Sequence, residues 1–149
     1  MHVQRIWALI ADGARARVVE NNGHHNAWAN IDGMVYSSDH SATHDLVTDS
    51  QGRTFGAQDP GRSALEPHSD PHRALKTRFA HHLAANLAQC LERKQFDHLI
   101  IAAPPAMLGE LRQFISGKVR AKIVAEFAHD LTKVPMHQLT DHLAPIPPL

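Results

Sequence analysis

Along this chain the spacing of apolar positions changes several times, and each change marks an element. Ile6 to Ala11 is an unbroken apolar run containing Ile and Trp that stops at Asp12-Gly13. Such a run reads as a buried strand entering a turn. Ala16 to Glu20 supplies a second short strand, and the intervening Asp12-Gly13-Ala14-Arg15 has the chemistry of a tight hairpin, glycine being the residue that takes a positive φ without steric cost. Asn21-Asn22-Gly23 signals another turn, after which the stretch Ala27 to Tyr36 contains a weaker third strand that completes an antiparallel meander. From Ser37 to His72 the periodicity gives way to Ser, Thr, Asp, His, Gly and Pro, with Phe55 and Leu65 as isolated large anchors. Residues 37–72 therefore read as a long polar loop, and loops of that length inside a domain are usually functional or disordered.

Beyond the loop the spacing becomes helical. Asp70 is available as an N-cap and Pro71 suits a first helical turn, and Leu75, Phe79, Leu83, Leu87 and Leu91 follow at every fourth position, with Asn86 and Cys90 on the same face. Phe96 to Ala103 reads as a strand through Leu99-Ile100-Ile101; Pro104-Pro105 ends it, and Met107 to Ile115 forms a second helix closed by Gly117. Ala121 to Phe127 gives a further strand and Val134 to Leu143 a short final helix before the proline-rich Pro145-Ile146-Pro147-Pro148. A meander of three strands followed by α-β-α-β-α needs parallel strands in its second half. The predicted fold class is thus α/β, a ribonuclease-H-like mixed five-stranded sheet with the long loop ahead of the first long helix. At 149 residues the chain suits a single domain over 1–149 that buries its own core.

Composition narrows the function classes. Lys and Arg number 15 against 15 Asp and Glu, so there is no strongly basic footprint of the kind that announces a nucleic-acid partner. The chain is rich in histidine, with 13, and gains positive charge in mild acid as imidazoles titrate. The single cysteine, Cys90, excludes an intrachain disulfide and fits a reducing cytoplasm. The chain shows no basic leader with an apolar stretch behind it, and no apolar run of about 20 residues that would span a bilayer. A cytoplasmic protein without membrane insertion is expected.

Candidate chemistry is sparse. Two-metal phosphodiester cleavage needs several converging carboxylates; Asp12 and Asp130 lie at strand ends, but Glu92 stands at the far end of its helix and Asp97 starts its strand. His68 and His72 with Glu66 or Asp70 have the ligand types for zinc, yet Pro71 breaks the helical turn that would put them on one face. Neither a phosphate-binding GxxxxGK[ST] or GxGxxG nor a GxSxG serine elbow occurs. Cys90 sits on the apolar helix face, where burial disfavours a thiolate nucleophile. Arg15, Arg17, Arg53, Arg62, Arg73 and Arg78 are placed to ring the loop and one sheet edge, which suits either an anionic partner or an ordinary solvated surface. No catalytic set, metal or cofactor is expected.

Several segments together resemble the bacterial host-attachment protein family. They are Trp7 to Val18, Gly52-Arg53, Glu66-Pro67-His68, Ala102-Ala103-Pro104-Pro105 with Leu108-Gly109 and Leu111-Arg112, and Asp130-Leu131-Thr132. The resemblance spans nearly the whole chain, its first and fourth segments being the more specific in combination. It implies a role in attachment of bacteria to host cells. The family is similar, at a distance, to the central domain of eukaryotic and archaeal peptide-release factors, where a Gly-Gly-Gln loop ahead of the long helix positions water for peptidyl-tRNA hydrolysis. Gly56-Ala57-Gln58 departs from that motif in its middle residue and lies well before the helix, so hydrolysis does not carry over. The expectation is a binding or regulatory protein in preference to an enzyme. Its candidate binding residues are Asp12, Gly13, Arg15, Arg17, Gly52, Arg53, Glu66, His68, Arg73, Asp130 and Thr132. Its possible partners are a protein, or the ribosome or RNA if it is a translation-associated factor; a metal-dependent hydrolase is the third alternative.

Overall fold

β1 (Ile6–Ala11) is buried at all six of its residues, and that follows from its place at the centre of the molecule. In the computed structural model, which describes residues 4–21, 28–38 and 71–143, β1 pairs antiparallel with β2 (Arg15–Asn21) on one side and parallel with β4 (His98–Ala102) on the other. Beyond them, β3 (Ala29–Ser37) and β5 (Ile123–Phe127) form the outer strands, giving the sheet order β3-β2-β1-β4-β5. The three-strand meander and the parallel second half are those the sequence predicts, and the fold is the mixed α/β sheet expected.

Strand alternation then divides the apolar residues between two cores. Trp7, Leu9 and Ala11 with Leu99 and Ile101 face one side, where α1 (Pro71–Glu92) lays down Phe79, Leu83, Leu87 and Cys90. Of the predicted stripe, Leu75 and Leu91 at its two ends are only half-buried. The same core receives Met107, Leu108 and Leu111 from α2 (Pro105–Phe114) and Val119 from α3 (Gly117–Arg120). Ile6, Ala8 and Ile10 with Ile100 and Ala102 face the opposite side, covered by Trp28, Leu131 and the C-terminal α4 (Leu139–Leu143), which follows a 3-10 turn at Met136–Gln138. The indole of Trp7 needs a polar outlet, and finds it in the cross-strand Glu20, whose Oε2 accepts from Nε1 at 2.9 Å.

Four local expectations need correction. Gly117 does not close the second helix: α2 ends at Phe114, and Ser116, accepting the Val119 N–H at 3.2 Å, caps a new short helix that Gly117 begins. That helix also starts earlier than Met107, because Pro105 occupies its first position, where the missing N–H costs nothing. Ser37 belongs to β3, paired with Arg15, and is not the first residue of a loop. The one glycine of positive φ among the described residues is Gly33, in β3, where the pairing with β2 shifts register; Gly13 is not in that region. At the other end of the predicted 37–72 loop, Pro71 and His72 already belong to α1, Ser38 is a buried turn residue, and residues 39–70, with the proposed cap Asp70, lie outside the described residues.

Truncating the α1 stripe measures how far the helix–sheet contact holds the fold. Leu83, 1% exposed, should lose about 2–5 kcal/mol on change to Ala, whereas Val35→Ala, at a position 73% exposed, should stay within about 0.5 kcal/mol. Urea denaturation of the two variants checks the contrast.

Candidate functional site

Because β1, β4 and β5 are parallel, the loops that follow them leave from one end of the sheet, and the candidate residues at strand ends collect there. Asp12 directly follows β1. Its Oδ1 accepts the backbone N–H groups of Ala14 and Arg15, each at 2.7 Å, while its own N–H donates to Arg15 O at 2.8 Å. This is an Asx-type turn: the carboxylate supplies the acceptor that shapes the hairpin. A Cβ at Gly13 would lie 3.3 Å from Cε of Lys76 on α1, a close contact with the end of a flexible side chain. The turn thus seats against the first long helix.

The segment after β5 meets Asp12 from the other side. Asp130 Oδ1 accepts from the Thr132 N–H at 2.9 Å and from its hydroxyl at 2.5 Å, and Thr132 Oγ1 lies 3.5 Å from Asp12 Oδ2. Arg17 ties the same segment down, donating from Nη2 to Val134 O at 2.5 Å and to Leu131 O at 3.4 Å. Burial pulls the Arg17 pKa below the usual guanidinium value, and its Nε is buried with no hydrogen-bond partner among the described residues; a guanidinium nonetheless keeps its charge.

Register completes the site. Arg15 pairs with Ser37 and Arg17 with Val35, so these four project from one face of the β2–β3 ribbon, the face that α4 covers only further along the sheet. Between that face and the Thr132-Lys133 turn lies a cavity of about 230 Å³ bordered by Asp12, Arg15, Ala16, Arg17, Val35, Tyr36, Ser37, Thr132 and Lys133. Among the candidates, Asp12, Arg15, Arg17 and Thr132 border this cavity; Gly13 and Asp130 shape its two turns. Arg73 does not join them. It is exposed in the first turn of α1 and borders a separate groove of about 430 Å³ with Ala74, Thr77, Arg78, His81 and Phe114. Gly52, Arg53, Glu66 and His68 lie outside the described residues.

Val35, Tyr36 and Lys133 border the site without any signal that sequence reasoning used. Val35 and Tyr36 are specified by the β2–β3 register, which no local pattern displays, while Lys133 directly follows the Asp130-Leu131-Thr132 segment and was within reach. Elsewhere, Cys90 is buried among apolar residues, and that burial raises its pKa while Arg93 partly opposes the rise. Among the described residues no group of three or more His, Cys, Asp or Glu is placed to hold a metal ion, and no helix is long and apolar enough to cross a membrane.

Fold and rim together define a mixed α/β sheet of ribonuclease-H-like order, with a cavity that opens where β1 and β5 end. A family model described as "Protein required for attachment to host cells" matches residues 7–143, and the chain belongs to that family. No curated protein matches it.

The turn should depend on the carboxylate as an acceptor more than as a charge. Asp12→Ala strands two N–H groups and should cost about 1–3 kcal/mol in urea denaturation, while Asp12→Asn, which keeps an oxygen acceptor, should cost distinctly less. Cys90 in the folded protein should resist a colorimetric thiol reagent at neutral pH and react at a rate that rises with unfolding in urea; rapid labelling without denaturant would contradict its burial.

Proposed function

We propose that this family member is a non-enzymatic binding or regulatory protein, which supports attachment of bacteria to host cells indirectly, from the cytoplasm, by engaging a partner at the rim where β1 and β5 end. The observation that carries this reading is the way the rim's carboxylates are used. Asp12 and Asp130 each turn an oxygen onto local N–H or O–H donors at 2.5–2.9 Å and so hold loops in shape. General acid–base chemistry needs a group aimed at a substrate proton, and metal-assisted hydrolysis needs converging ligands; neither role fits carboxylates occupied in this way. What the rim presents outward is Arg15 and Lys133, both exposed, beside the exposed Val35. Cationic groups flanking an apolar one suit recognition.

A translation-associated role is the second reading. It is favoured by the further cations at the same end of the molecule, Arg73 and Lys76 on α1, which together with Arg15 and Lys133 offer contacts to a phosphate backbone. Contacts of that kind weaken steeply with added salt.

The test is adhesion. Bacteria lacking the protein should attach poorly to host cells, and the wild-type gene should restore attachment. The double variant Val35→Glu, Lys133→Glu, which changes two exposed positions, should accumulate normally and fail to restore it. Unchanged adhesion in the deletion strain would overturn the reading, and fractionation of the complemented strain checks the cytoplasmic placement. Ribosomal RNA that co-purifies at low salt and is lost with Arg15→Ala and Lys76→Ala would favour the second reading instead.

A further inference from the structure

The geometry points to a binding site for a small molecule bearing an oxyanion, phosphate or carboxylate, in the groove between the β2–β3 face and the Leu131–Val134 turn. The inference rests on the rim being the protein's recognition surface and names the chemistry that surface takes. Three cationic side chains, Arg15, Arg17 and Lys133, border the cavity against one carboxylate, Asp12. Asp12 contributes a negative charge, but one carboxylate against three cations leaves the cavity lining positive, and its two oxygens are already oriented by the Ala14 and Arg15 N–H groups and the Thr132 hydroxyl. None of the three cations forms an ion pair among the described residues.

Arg17 is the most telling of them. Its guanidinium is held by the carbonyls of Leu131 and Val134, which fix its orientation without supplying a counter-charge. A half-buried cation in that state has given up part of its hydration and, among the described residues, gained only neutral partners, so an anion arriving beside it recovers electrostatic energy that water no longer fully provides. Arginine's fork of donors suits planar oxyanions; the exposed Arg15 offers that fork, while Arg17, with Nη2 on the two carbonyls and Nε buried, contributes mainly its charge. Size and polarity set the rest of the ligand. A volume of about 230 Å³ falls below the roughly 300–1,000 Å³ of sites for drug-sized molecules, so the group admitted is small, and Val35, 73% exposed at the cavity's edge, offers an apolar surface to the body that carries it.

The experiment is a titration of the full-length, nitrogen-15-labelled protein followed by NMR. Inorganic phosphate and sodium acetate are added in separate series, with sodium chloride at matched ionic strength as the control. Saturable shifts confined to the amides of Val35, Ser37, Thr132 and Lys133 and to the Arg17 Nε–H are the expected result; the anion that saturates at the lower concentration identifies the phosphate or the carboxylate source. The variant Arg15→Ala, Lys133→Ala should weaken that binding by about tenfold or more with an unchanged urea midpoint. Shifts that do not saturate, that chloride reproduces, or that survive in the variant at wild-type affinity would overturn the site. Saturable binding in a protein whose deletion leaves adhesion intact would keep the site and remove the attachment reading; adhesion that depends on the protein with no anion binding would do the reverse.

Discussion

A strand made only of apolar residues has to lie between two layers, and most of this structure is the consequence of giving β1 that position. Its backbone groups are satisfied by β2 on one edge and β4 on the other, so six apolar residues are buried without leaving peptide groups unpaired. Its side chains then need cover on both faces. A slip of one residue would exchange Trp7, Leu9 and Ala11 for Ile6, Ala8 and Ile10 between the two cores. The indole resists that exchange, since Trp7 is tied to Glu20 and its ring lies 5.0 Å from that of Phe96; on the opposite face it would lose both partners. One aromatic residue with a polar edge thereby helps set the register of the central strand.

The position of the cavity follows from that arrangement. With β1, β4 and β5 parallel, the turn after β1 and the segment after β5 converge at one end, which is where open α/β sheets generally place their ligands. The two faces are covered unequally: α1 and α2 spread over one, while on the other Trp28, Leu131 and the short α4 gather over β1 and β4. The β2–β3 ribbon on this second face carries Arg15, Arg17, Val35 and Ser37 at its end, and the turn that Arg17 draws in becomes the opposite wall. Among the described residues, the cavity is thus the margin of a core layer that stops short of the end of the β2–β3 ribbon.

Much of the fold was legible because its evidence is periodic and local. The run from Ile6 to Ala11 and the fourfold spacing from Leu75 to Leu91 each report burial directly, and the structure places a strand and a helix over them. Single glycines were less legible, because one residue type serves several causes. The Asp-Gly turn chemistry predicts a positive φ at Gly13 that the structure does not show, while Lys76 of another element approaches it; Gly117, an expected helix stop, begins a helix. The site was legible only in part for the same reason. Asp12, Arg15, Arg17 and Thr132 stand out beside turn signals, but Val35 enters through cross-strand pairing, and Arg17 bonds Val134 over a separation of 117 residues. Arg73 shared the charge of the other candidates and faces a different groove; charge alone does not report direction.

Zero net charge bears on how such a rim selects its partner. A balanced chain exerts little long-range attraction, and exposed charges are screened over about 8 Å at physiological ionic strength, so discrimination has to arise at contact. The three cations of the cavity are unequally prepared for that. Arg15 and Lys133 are exposed and keep their hydration and rotamer freedom until a partner arrives, whereas Arg17 is half-buried and oriented by two carbonyls. The cost of ordering Arg17 is met in folding, where its bonds also hold the Leu131–Val134 turn, and binding need not supply it again. At the proposed anion site, a guanidinium oriented by the fold beside two exposed, adaptable cations would favour an oxyanion able to reach Arg17 over one that merely meets surface charge. The same bonds that hold the fold at this edge would then set the specificity of the proposed groove beside it.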